Sequence, residues 1–335
     1  MIALKAKKPF FNYIRLLLVA LLIAVLASGC AYSNDEVLVK GKVNVVTSFY
    51  PLYDFAQKIG GEFVHVVNLV PAGVEPHDWT PKAKDMKNIV DADSFIYNGA
   101  DFEGWVHDFL DSIDPSEGPL ITEASKGADF IVIGEAEEGA EHEDEVEGDH
   151  ADEGDDHGHG SVDPHIWLSP LQAKVMAQNV RDALIQVDAA NQSAYESNYA
   201  ALEERLDALD TKLKTIVANS PRKEIVVSHE AFGYIARDYG ITQVGVMGLS
   251  PEAEPTPQRM KEIRDFAEKH DIRFILFEEL VSSKLAETLA ESLGIKTLVL
   301  NPLEGLTEAQ QNAGDDYFTL MENNLTTIEK ALQLQ

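Results

Sequence analysis

The strongest constraint on this fold is a stretch with no chain breaker in it. From residue 191 to 219 there is neither Gly nor Pro, and Tyr195, Tyr199, Leu202, Leu206, Leu209, Leu213 and Ile216 recur at alternating spacings of four and three. On a helix of 3.6 residues per turn those side chains share one face. The stretch therefore predicts one long helix, placed here at 188–220 with its short approach, that buries a single seam. A run of about four heptads is near the lower limit for a dimeric coiled coil. The seam is expected to face the chain's own core and the protein to be a monomer.

On either side of that helix, short apolar runs alternate with amphipathic ones. Residues 43–47, 63–70 and 94–98 read as strands, with helices over 53–59, stopped by Gly60-Gly61, and over 82–90. After Pro221 the rhythm returns, with strands at 224–228, 243–247, 273–277 and 297–300 and helices at 257–269 and 282–293. Strand–helix–strand order implies parallel βαβ units. The expected fold class is α/β: two lobes of parallel βαβ units, 42–187 and 221–335, joined by the long helix.

The first 29 residues read as an export signal rather than part of the fold. Lys5, Lys7, Lys8 and Arg15 are its basic residues, 10–26 is otherwise almost wholly apolar, and the segment closes on Ala27-Ser28-Gly29-Cys30. Small residues before a cysteine resemble a lipoprotein processing site, at which Cys30 would be acylated and become the mature N-terminus, with 30–41 as a tether. Ala27 stands where such sites more often have Leu, and an uncleaved anchor helix of roughly 20 residues is the other reading. Removing the four basic residues leaves 23 basic against 57 acidic side chains, a net charge of −34. Such a surface repels nucleic acid and anionic lipid. Cys30 is the only cysteine, so a metal site here is built from His, Asp and Glu, which excludes thiolate zinc sites and iron–sulfur clusters.

Three short islands each carry one histidine: Glu75-Pro76-His77-Asp78-Trp79, Asp163-Pro164-His165-Ile166-Trp167 and Ser228-His229-Glu230-Ala231-Phe232-Gly233. In open α/β sheets ligands bind beyond the carboxyl ends of the strands. His229 ends the strand 224–228, His77 lies in the loop leaving 63–70, and Glu304 lies just past 297–300. Glu278 and Glu279 also sit at a strand end and compete with Glu304, or a water, for the carboxylate position. Asp78 and Asp163 either orient an imidazole through its second nitrogen or cap a turn. Trp79 and Trp167 are expected to pack the walls of the site, while His65, His107 and His270 lack such contexts and are expected to be structural or surface residues.

Residues 135–160 break every pattern. They hold thirteen Asp or Glu, four histidines (His142, His150, His157, His159) and no Lys or Arg. Such a composition cannot bury enough apolar surface to offset its ordering entropy. It is expected to be a disordered loop with weak secondary metal binding, and the tight site is expected to survive its deletion.

With these residues in view, the chain resembles the zinc-binding solute receptors of ABC importers, the ZnuA and AdcA type within the wider metal-receptor group. The likeness spans essentially all of the mature chain and includes Thr47-Ser48-Phe49-Tyr50-Pro51, the three islands, the acidic loop, the linking helix and Asn301-Pro302-Leu303-Glu304. It implies that His77, His165, His229 and Glu304 hold the metal in the interlobe cleft. It further implies an extracytoplasmic, lipid-anchored receptor that delivers Zn2+ to a membrane permease and its ATPase. The manganese branch of the group typically has a carboxylate in the third island, so His229 favours zinc, which accepts imidazole well. A manganese receptor of the same fold and an adhesin are the alternative readings. A zinc hydrolase is disfavoured, because Gly233 stands where an HExxH motif needs its second histidine and neither a GxSxG elbow nor a Walker loop is present. Neutral imidazole ligands predict weakening affinity below about pH 6.5.

Overall fold

The computed structural model describes residues 38–114, 118–133, 162–251 and 255–333. The export signal with Cys30, and His142, His150, His157 and His159 of the acidic segment, lie outside the described residues. The first lobe contains β1 (Val43–Thr47), α1 (Tyr50–Gly60), β2 (Val64–Asn68), α2 (Ala83–Asp91), β3 (Ser94–Tyr97), α3 (Val106–Ser112), β4 (Leu120–Glu123) and α4 (Pro170–Val187). Then comes the long helix α5 (Gln192–Asn219). The second lobe contains β5 (Glu224–Val227), α6 (Gly233–Tyr239), β6 (Thr242–Gly245), α7 (Pro257–Lys269), β7 (Phe274–Phe277), α8 (Lys284–Leu293), β8 (Lys296–Val299), α9 (Glu308–Ala313) and α10 (Tyr317–Leu332).

Both sheets are wholly parallel and wound the same way, β2-β1-β3-β4 in one and β6-β5-β7-β8 in the other. Strand order therefore reverses between β1 and β3, and again between β5 and β7. Such switch points open a crevice at the carboxyl ends of the strands. Val45, Val46, Val226 and Ile275 are fully buried, as expected for parallel strands covered by helices on both faces.

The seven seam residues of α5 are all buried. The helix packs against α4, α1 and α10. It thereby links the lobes, and one apolar core runs through both, from Val45 and Phe55 to Val227, Leu276 and Leu325. Smaller clusters cover the outer faces, around Phe95 and Ile89 in the first lobe and Ile263 and Ile275 in the second. The observed α1 begins at Tyr50, three residues before the expected start, because Pro51 in the first turn has the helical φ already set and its missing N–H costs nothing there.

Candidate metal centre

Two of the prospective ligands, His229 and His165, stand at the ends of ordered elements, and Glu304 and His77 stand in loops. His229 directly follows Ser228 at the end of β5, and Ser228 N donates to Leu276 O of β7 at 2.8 Å. Glu304 follows β8 in a loop where Leu303, fully buried, takes the left-handed backbone (φ 57). That turn is pinned by Asn301: its side chain accepts from Leu303 N at 2.7 Å, and its backbone exchanges two bonds with the Asn324 amide, at 2.8 and 2.6 Å. His165 caps a 3₁₀ turn at Ile166–Leu168, three residues after Val162 pairs with Val132. His77 lies in the loop between β2 and α2.

These four side chains converge, with one donor atom from each within 4.8 Å of every other. Glu304 Oε1 stands 3.3 Å from His77 Nε2 and 3.4 Å from both His165 Nε2 and His229 Nε2. His165 Nε2 is 3.3 Å from His77 Nε2 and 3.4 Å from His229 Nε2. One oxygen this far from three ring nitrogens is beyond the usual 2.7–3.2 Å hydrogen-bond range. Donors about 2.0–2.1 Å from a zinc ion at tetrahedral angles stand about 3.3–3.4 Å apart, so five of the six edges have the length such an ion requires. Nitrogen and oxygen donors without sulfur suit zinc, and the burial of Glu304 and His165 (both 0%) and His229 (1%) keeps competing water out.

The far nitrogens of two rings are also engaged. His165 Nδ1 pairs with Asp163 Oδ1 at 2.8 Å, and His229 Nδ1 with Glu278 Oε1 at 2.7 Å. The Ser228 hydroxyl donates to the same Glu278 oxygen at 2.6 Å. A carboxylate on the second nitrogen fixes the tautomer and points Nε2 at the centre. Glu278 thus stands behind a ring, whereas Glu304 stands among the ring nitrogens. Glu279 is turned away, accepting from Asn301 and Gln310 at 2.8 and 2.7 Å.

Burial alone would drive the imidazoles toward neutrality, yet the surrounding carboxylates win. Asp163 and Glu304 raise His165 despite its burial, and Glu278 and Glu304 raise His229 to about 10. The three rings in turn hold Glu304 well below the ordinary carboxylate range, against the opposing effect of its burial. Glu75, two residues before His77, is pushed up to about 9 by burial and by the charge of Glu304.

Other expectations divide. Trp167 lies against His165 with ring centroids 5.3 Å apart. Trp79 instead packs on Trp105 at 6.1 Å with the outer cluster of the first lobe, so it is no wall of the centre. Asp78 is exposed and the described ring partners are Asp163 and Glu278 instead. His65 lies within β2, opposite Asn44. His107 is exposed near Asp111, and His270 stacks on Phe266 at 4.4 Å. The role of Glu278 was only partly visible in the sequence. Its place at a strand end marked it as near the centre, but not which side of an imidazole it would reach.

Gly233 explains why the HExxH resemblance ends where it does. A Cβ there would stand 2.3 Å from Asp163 Oδ2, so only glycine admits the carboxylate that orients His165. Glu230, the would-be general base, is instead paired with Arg259 at 2.8 Å.

Twin doubly wound lobes, a linking helix and a buried cluster of three imidazoles and one carboxylate define a two-lobed α/β binding protein with a metal-type cleft. The chain belongs to the family described as zinc-uptake complex component A, periplasmic, whose model matches residues 45–331. It is 39% identical over 314 residues to the zinc-binding lipoprotein AdcA of Streptococcus pneumoniae serotype 4, covering 94% of this chain and 60% of that protein. It is 38% identical to the high-affinity zinc uptake system protein ZnuA of Bacillus subtilis, covering 93% and 95%. This chain thus spans about three fifths of the length of the streptococcal relatives. The crystal structure of the Zn(II)-bound ZnuA-like domain of Streptococcus pneumoniae AdcA superposes with a TM-score of 0.72 at 36% identity, over 88% of this chain and all of that one. The laminin-binding protein Lmb of Streptococcus agalactiae, titled as having adhesin and metal transporting activity, gives 0.73 at 28% identity over 87% and 100%.

Proposed function

We propose that this chain is an extracytoplasmic receptor that captures Zn2+ on His77, His165, His229 and Glu304 and hands it to an ABC permease driven by a separate ATPase. The observation that carries this reading is the set of 3.3–3.4 Å edges among the three Nε2 atoms and Glu304 Oε1. Four protein donors complete a tetrahedral site, whereas a catalytic zinc keeps a position open for water. The cage therefore suits capture rather than hydrolysis, and Glu230 is already committed to Arg259. Three imidazoles and one carboxylate favour zinc over manganese, which prefers more oxygen. The zinc-binding names of the relatives support the same cargo. Acylation at Cys30 would tether the receptor to the membrane, as the lipoprotein relative's name supports.

The test is a competitive zinc titration of the protein lacking 135–160, with and without His229→Ala. One tight equivalent that disappears on substitution is expected. Only weak binding before any substitution would assign zinc capture elsewhere and end the receptor reading.

A further inference from the structure

Resting on that reading, we infer that Glu103 is a positioning residue for the metal centre: its carboxylate clips a left-handed turn that sets Phe102 against His77 and Asn98 against the backbone ahead of His165.

The centre supports its rings unequally. Among the described residues His165 and His229 each have a carboxylate at Nδ1, and their side chains are 0% and 1% exposed. His77 is 11% exposed, and what flanks it is an aromatic edge. The Phe102 ring meets it with centroids 4.9 Å apart and planes at 71°. Phe102 itself sits on Phe49 and Trp167, at 4.8 and 5.0 Å, and Trp167 continues to His165. The wall that limits how His77 can turn is therefore delivered by Phe102.

Phe102 is delivered by an unusual piece of chain. After β3, three consecutive residues take positive φ: Gly99 (82), Ala100 (53) and Asp101 (57). Gly99 has no alternative, since a Cβ there would meet the Glu123 side chain at 2.4 Å. Ala100 and Asp101 have no such licence, and L residues persist in this region only where their surroundings over-determine it. Glu103 supplies the restraint. One carboxylate oxygen accepts from Asn98 N at 2.7 Å and the other from Gly99 N at 3.2 Å, while Phe102 N donates to Gly99 O at 3.1 Å. The carboxylate thus ties the end of the turn back to its beginning. Fully buried Asn98 in turn donates from Nδ2 to Pro164 O at 3.1 Å, directly before His165. Glu103 acts on two prospective ligands through these neighbours. Substituting the acid by its amide removes an acceptor and leaves the chain's length and shape, so the turn should loosen while the fold survives.

The experiment compares wild type, Glu103→Gln, Phe102→Leu and the double variant. Zinc release into excess chelator, the visible absorption of the Co2+-loaded protein and the melting temperature of the metal-free protein are recorded for each. Each single variant is expected to release zinc about tenfold faster and to shift the Co2+ bands, which report ligand geometry. The double variant is expected to be no more than about twofold faster than either single, because both act through one wall. Wild-type release and Co2+ bands in Glu103→Gln, whatever its melting temperature, would overturn the inference, as would multiplying effects in the double variant. Should Glu103→Gln not fold, unchanged release and Co2+ bands in Phe102→Leu would overturn it equally. A wild type with no tight zinc equivalent would instead remove the receptor reading beneath it.

Discussion

The two carboxylates behind the rings make the centre's chemistry tunable one atom at a time. Glu278 accepts from the Ser228 hydroxyl and pairs with His229 Nδ1, so Glu278→Gln keeps a hydrogen-bonding side chain but removes the charge that polarises the ring. Zinc affinity should fall about 10- to 100-fold, measured by chelator competition; an unchanged affinity would show that His229 needs no orienting partner. Gly233→Ala works on the other ring, because its new Cβ must displace Asp163. Affinity should drop with it, and a crystal structure of the variant should show His165 turned; an unmoved ring would refute the link. The pH response follows from the same carboxylates. His229, raised from its ordinary 6.5 to about 10, contributes stability to the metal-free fold that is fully present below pH 6.5 and lost as pH rises through about 10. A proton on the ring opposes the metal, so zinc affinity has the reverse slope. Affinity should keep rising from pH 6.5 toward 10 with proton release on binding, instead of changing only below about 6.5 as free imidazole would. A plateau from pH 7 upward would show that the empty site already holds neutral rings.

At the level of elements, the sequence was most legible where periodicity was strong. The seam of α5 was readable because seven large apolar residues met no interruption, and all seven are buried. Leu206→Ala, at a fully buried position of that seam, should cost about 2–5 kcal/mol in chemical denaturation; a loss below 1 kcal/mol would mean the seam collapses around the cavity. By contrast β4 was missed, since its four residues are all only half-buried and show no alternation. Helix α4 was missed as well, because its buried stripe of Ala173, Met176, Ala177, Val180, Ala183 and Leu184 is half alanine and is joined by the polar Gln172, which leaves little hydrophobic contrast. Two histidine islands could be read because proline and tryptophan neighbours made them distinctive, and the third because His229 directly follows a strand. The split between Glu304 and Glu278 could not, because it depends on which side of an imidazole a carboxylate approaches. The acidic insertion between Val132 and Val162 enters as an expectation from composition alone. Those two residues pair directly, so a short closure can replace 135–160. Its deletion should leave the single tight zinc equivalent and remove only weak sites, read by isothermal titration; loss of the tight equivalent would place a ligand in the insertion.

Across the whole molecule, the lobes are fastened to one another on several sides of the cleft. Trp167 Nε1 donates to Pro302 O at 2.7 Å, and the Tyr317 hydroxyl donates to Trp167 O at 2.6 Å. The Tyr234 hydroxyl donates to Asp163 O at 2.6 Å, and Ser169 to Asp238 at 2.5 Å. Lys58 of α1 pairs with Asp316, at the start of α10, at 3.1 Å. These bonds surround a core that is continuous through both lobes and backed by α5. A wide hinge opening would have to break all of them and expose that core, whereas His77 can leave the centre by moving one loop. Metal capture should therefore be local. The radius of gyration in small-angle scattering should differ by no more than about 1 Å between metal-free and zinc-loaded protein. Hydrogen exchange should show new protection in 71–82, 98–105 and 302–306, with α5 unchanged in both states. An expansion of several ångströms on metal removal, with faster exchange along α5, would mean that the lobes separate, and that the helix serves as a hinge rather than a brace.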